Sequence, residues 1–320
     1  MDCTRAPTVA AALAALLLVS CAPVARPGEV ERSELALLIS AAPAGGVVTL
    51  APGEHRLVGG LVVGASVHLR GAGSEVTRVV ADRPLVFRGE RVVLEGITFE
   101  GSGHDAATVV VEGTRELIVL ASRFEAPSGR QTRGEALRIV DVASGTIRDN
   151  HITGTFDGVV VASASRVSIE GNVFTGLPGV ALHFADTSRG LALANDIVEN
   201  GFGILVSGSA TPRLEANTVR ANRRSGVVYI ESSGGVAWAN AVVGNGNNGF
   251  EVRGDARPVL VGNVLRGNFE GAIEYAGRGA GWLRDTTCEE NGTDIELWQF
   301  ATPEMVRNGC HVLDLRQRSS

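Results

Sequence analysis

Lysine is absent from this chain: all 29 basic residues are arginine. No lysine is therefore available as a nucleophile, as a Schiff-base former or for a phosphate-binding loop. The arginines are scattered, and 35 acidic residues bring the net charge to −6, which excludes the basic patch that nucleic-acid binding requires. Aromatic residues are scarce at 5%, whereas 44% of the chain is hydrophobic and 41 residues are glycine. That much apolar side chain excludes a disordered protein, and β-branched residues with frequent Gly and Asn favour short strands and tight turns over a helical bundle. Neither Cys-x-x-Cys nor His-Glu-x-x-His spacing occurs, and no metal or other cofactor is expected.

Long hydrophobic runs are also lacking. Arg5 is followed by an apolar run over residues 9–19 that ends at Ser20 and Cys21, too short for a spanning anchor and laid out like an export signal. Leu18, Val19, Ser20 and Cys21 resemble the lipobox of bacterial lipoproteins, with an ordinary secretory peptide as the alternative. The resemblance implies that Cys21 is lipidated and, with Ala22 after it, that the mature protein is anchored to the outer membrane of a Gram-negative cell. Residues 1–20 are then the signal peptide and 21–34 a tether. Cys3 leaves with the signal, and Cys288 and Cys310 remain in an oxidising compartment, where a disulfide between them competes with a buried thiol at Cys288.

Leu35, Leu38, Ile39 and Ala42 share one face of a helical pattern of two or three turns, and Pro43 with Gly45 and Gly46 ends it. Beyond it the dominant signal is periodic. Asparagine recurs at Asn150, Asn172, Asn195, Asn217, Asn240 and Asn263, with Thr286 in the next slot, at steps of 22 or 23 residues. A second series, Asn200, Asn222, Asn245, Asn268 and Asn291, follows five residues behind. Two residues after each first-series position lies an apolar column, Ile152, Phe174, Ile197, Val219, Val242, Leu265 and Cys288. A fixed period with polar columns at turns and apolar columns between them marks a solenoid. Each unit reads as three short strands, for instance residues 159–161, 167–169 and 173–174. Stacked coils bring equivalent asparagines about 4.8 Å apart, where each amide can bond the next, so the asparagines are assigned to holding the coil.

The unit running from Asn217 to Asn222 and on through Gly226, Val227 and Val228 resembles the right-handed parallel β-helix repeat of the pectin-lyase-like superfamily. The stretches Val47 to Arg56 and Leu69 to Thr77 resemble its opening, in which a short helix caps the first coil. The resemblance implies an all-β, single-stranded right-handed parallel β-helix of roughly eleven coils over residues 35–300, with 301–320 as a C-terminal cap or tail. It also implies that any substrate lies along the outer face of one parallel sheet.

On that face the outward column reads Val160, Ala181, Leu205 and Val228, then Glu251, Glu274 and Glu296. The three glutamates are candidate acid, base or nucleophile, because carboxylates about 4.8 Å apart repel and hold a shared proton. Arg253 is a candidate for binding a sugar carboxylate or for relieving that repulsion. The apolar half of the column is a candidate protein-docking surface. His104 with Asp105, and His183, are read as isolated, and Asp157 as a turn residue. The paired-Asp and His-Gly signatures of polygalacturonases and the Asp-Pro-His-Asp run of alginate epimerases are missing. Two functions remain: an anchored β-helix protein that binds polysaccharide or serves as a noncatalytic periplasmic scaffold or maturation factor, or a lyase, hydrolase or epimerase working through the glutamates.

Overall fold

The computed structural model describes residues 34–101, 106–127 and 133–318. Cys21 and the rest of the N-terminal segment, together with His104 and Asp105, lie outside them. Among the described residues, no helix is long and apolar enough to cross a membrane.

After the helix Glu34–Ala41, strands follow one another in a repeating cycle of three, and each pairs in parallel with the strand one coil later. Three parallel sheets result, of 12, 11 and 12 strands. The first sheet begins with Val47–Thr49, the second with Gly53–Leu57 and the third with Leu61–Val63. The chain is a right-handed β-solenoid, the hand that parallel crossovers adopt almost always.

Alternation along each strand sends one side chain inward and the next out. Ile152, Phe174, Ile197, Val219, Val242 and Leu265 are fully buried in the core and stand opposite one another in the second sheet. Asn150 to Asn263 turn inward at the corner between the first and second sheets. Each Nδ2 donates to the Oδ1 of the next coil's asparagine at 2.8–3.0 Å, and that Oδ1 also accepts the preceding asparagine's backbone N–H. The corner is sharp because the residue before the asparagine is left-handed. Glycine meets that demand at Gly171 (φ 60°) and Gly262 (φ 61°), while Ala194, Ala216 and Ala239 adopt φ between 50° and 54° against their preference. The second asparagine series forms a similar ladder from Asn200 to Asn291.

The N-terminal helix buries Leu35 and Ile39, four residues apart, but leaves Leu38 at 40% exposure, so its contact stripe is narrower than the sequence pattern. It packs against strand Gly53–Leu57 and closes the open end of the core. At the other end the solenoid runs past residue 300, where the sequence reading stops it. Thr302–Val306 extends the first sheet and Val312–Asp314 the third, and Cys288 is bonded to Cys310, tying this last coil to the one before.

Candidate functional site

The outer face of the third sheet presents one register column across the coils: Arg138, Val160, His183, Leu205, Val228, Glu251, Glu274 and Glu296. His183 stands where the sequence reading puts Ala181. Gly179 and Val180 imitate a strand opening, but fully buried Leu177 occupies the interior just before them. The strand therefore enters the core two residues later, with Leu182 meeting Val159 and Ile204, and Ala181 fully buried. The expected apolar half of the column is thus interrupted by an imidazole and begins after an arginine, and Val160 and Val228 are only 4% and 6% exposed. As a continuous apolar docking surface it does not exist.

The register brings Glu251, Glu274 and Glu296 together on adjacent strands. The three are held differently. Glu251, 4% exposed, accepts from the hydroxyl of Ser225 and from Arg253 Nη2 at 3.1 Å. Glu274 accepts from Arg253 Nε at 3.0 Å and from Asn248 Nδ2 at 3.4 Å. Among the described residues no arginine pairs with Glu296; it accepts from Thr293 Oγ1 at 3.0 Å and from the indole Nε1 of Trp298 at 2.9 Å. Arg253 therefore bridges two carboxylates of its own chain. Burial pushes the Glu274 carboxyl above the usual range; Arg253 opposes this, and the charges of Glu251 and Glu296 add to it.

Chemically this is a row of charge-assisted acceptors flanked by an amide, hydroxyls and an indole, the groups that bind hydroxyl-rich ligands. Among the described residues, no group of three or more His, Cys, Asp or Glu side chains is arranged to hold a metal ion.

Sequence reasoning misses Arg138 and His183. Their strands are reached only by counting through turns of unequal length, and the signal that finds His183 is the apolar alternation Leu182, Phe184 around it. Its Nε2 lies 2.8 Å from Ser207 Oγ, and burial lowers its pKa.

Residues 85–269 match the family described as the right handed beta helix region. No curated protein matches the chain significantly by sequence. Among solved structures, a mutant form of the periplasmic alginate epimerase AlgG shares 12% identity over 84% of each chain with a TM-score of 0.59. The A-module of the mannuronan C-5 epimerase AlgE4 of Azotobacter vinelandii shares 15% identity, covering 87% of this chain and 91% of its own, with a TM-score of 0.54. At such identities the likeness is one of fold.

Proposed function

The chain belongs to the right-handed β-helix family, and from that premise we propose that it is an exported, lipid-anchored protein that binds polysaccharide along the outer face of its third sheet. One observation carries the reading: Glu251, Glu274 and Glu296, with Ser225, Asn248, Thr293 and Trp298 beside them, repeat at the strand spacing of about 4.8 Å along the solenoid axis. A ladder of acceptors and donors at that spacing suits a polymer of sugar units better than a single small ligand. The names of the solved neighbours, epimerases of alginate and mannuronan, support a sugar polymer as ligand class. Because each glutamate already has partners within the chain, the row acts here as a binding surface.

Retention on immobilised polysaccharides tests this. Glu274→Gln and Trp298→Ala are each expected to weaken retention about tenfold or more, since a lost hydrogen bond to a charged group is worth about 1.5–3 kcal/mol. Unchanged retention in both variants would remove the surface from consideration.

The anchor rests on the lipobox-like residues Leu18 to Cys21. Cys21→Ala should move the protein from the membrane fraction to the soluble periplasm; persistence in the membrane fraction would count against lipidation.

A further inference from the structure

Three clefts follow one another along the corner where the third sheet passes into the first. The first, of about 550 Å³, is walled by Glu90, Arg115 and Ala143, among others. The second, of about 400 Å³, shares Ala143 and runs past Asp141 to Ala164 and Arg166. The third, of about 170 Å³, shares Ala164 and Arg166 and ends at Arg189. Shared walls make them one groove along the solenoid axis. It crosses five successive coils, four strand spacings or about 19 Å.

The charges of this groove change sign along it. Arg91 and Glu116 cancel, paired at 2.9 Å. Among the described residues, Glu90, Arg115, Asp141, Arg166 and Arg189 form no ion pair. In coil order they read negative, positive, negative, positive, positive. Arg166 and Arg189 are direct register partners at the opening of neighbouring strands, and like charges set opposite each other work against strand pairing. On the third sheet the chain treats its cations otherwise, bonding Arg138 to Glu135 and Arg253 to Glu251 and Glu274. Two stacked guanidinium groups without a counterion, at the end of a cleft, lack an oxyanion between them; a carboxylate there removes the repulsion and accepts charge-assisted hydrogen bonds from both.

We infer that the groove binds an acidic heteroglycan, a chain in which sugars bearing a carboxylate alternate with uncharged ones. The order of signs carries this, since long arginine stems adjust their own reach. One carboxylate sits between Arg166 and Arg189, and the next is held by Arg115, whose strand lies two spacings away from that of Arg166. The uncharged sugar between them passes Ala143 and Asp141. Asp141 engages the backbone N–H of Ala164 through Oδ1 at 3.5 Å; its Oδ2 accepts from sugar hydroxyls and repels a carboxylate. A chain charged at every unit, whether polyuronate or nucleic acid, is forced to set a charge against Asp141 or Glu90. A neutral chain leaves Arg166 and Arg189 facing each other. The groove shares no residue with the row of Glu251, Glu274 and Glu296 and stands independently of it.

Calorimetric titration of the full-length protein tests the assignment. The probes are oligosaccharides of hyaluronan and of unsulfated chondroitin, in which uronate alternates with an uncharged sugar, together with oligogalacturonate, dextran oligosaccharides and single-stranded DNA. At least one alternating glycan is expected to bind more tightly than the other three probes, and to weaken as salt is added. Arg166→Gln combined with Arg189→Gln should lower that affinity about tenfold or more. Both side chains are exposed, so the variant keeps its fold, which circular dichroism checks. Asp141→Asn should bring oligogalacturonate closer to the alternating glycans, a change of preference that a structural role would not produce. Glu274→Gln should leave binding of the alternating glycans as it is.

An affinity that the double arginine variant leaves unchanged overturns the site. Equal or tighter binding of oligogalacturonate or DNA overturns the alternating glycan as its occupant. If neither alternating glycan binds while neutral polysaccharides are retained and Glu274→Gln weakens that retention, the groove is overturned and the reading of the third sheet stands.

Discussion

Asn217 shows what a repeated side chain does in this fold. Its Nδ2 donates to Ala192 O at 2.8 Å and to Asn240 Oδ1 at 2.9 Å, and its Oδ1 accepts from the N–H and Nδ2 of Asn195 at 3.0 and 2.8 Å. Every one of these partners is buried away from water. Asn217→Ala should therefore cost about 3 kcal/mol or more, because it strands donors and acceptors on two neighbouring coils as well as removing bonds. Urea denaturation checks it: a loss below about 1 kcal/mol would mean that water replaces the amide and that the ladder is not what holds the corner.

At the scale of the element, a coil buries its interior only against its neighbours, so a terminal coil is the weakest. The N-terminal end is closed by the helix Glu34–Ala41 through Leu35 and Ile39. The C-terminal end has strands Thr302–Val306 and Val312–Asp314, whose residues are mostly exposed or half-buried, and the bond between Cys288 and Cys310 across 22 residues of sequence. Closing a loop of that length is worth about 3 kcal/mol in the chain-entropy model. Cys310→Ser should leave the central coils intact while speeding hydrogen exchange in residues 302–314. Mass spectrometry of unreduced native protein that finds two alkylatable thiols would place that end's stability elsewhere.

For the molecule as a whole, stability depends on pH through groups whose pKa values the fold has moved, by burial or by hydrogen bonds and charge. Glu274 is raised, so the folded state holds its proton more tightly than the unfolded state does. Its stabilising contribution is full below the ordinary glutamate pKa of about 4.3 and is lost as pH rises through the raised value. Glu95 works in the opposite sense, lowered by its hydrogen bond from His68 and by Arg70; its contribution is lost as pH falls. The comparison of wild type with Glu274→Gln isolates the first effect. The variant is expected to gain stability relative to wild type as pH rises from about 4 toward neutrality, and parallel pH curves for the two proteins would show that Glu274 titrates as a free side chain.

The sequence by itself determined the architecture, because a solenoid writes its geometry locally. A recurrence of 22 or 23 residues, an asparagine at one corner and an apolar residue two positions later are repeated statements of one coil. They also place Glu251, Glu274 and Glu296 in one column, since equal steps in sequence become adjacent strands. What Arg253 does with them is a matter of reach in three dimensions, and there it bonds Glu274 and Glu251 at once. Only the tertiary structure decided the register of the coil containing Leu177. Two candidate openings there, at Val180 and Leu182, both alternate acceptably, and the choice falls to the one that lets Leu177, Leu182 and Phe184 fill the interior together. That choice turns His183 to the outer face of the sheet, where it is half-buried, and buries Ala181. It likewise takes the pairing of whole strands to bring Glu135 beside Asp157 and to carry the sheets beyond residue 300, where the apolar period of the sequence has faded and the strands are defined by pairing with the preceding coil, by the Cys288–Cys310 bond and by a few apolar contacts such as that of Met305.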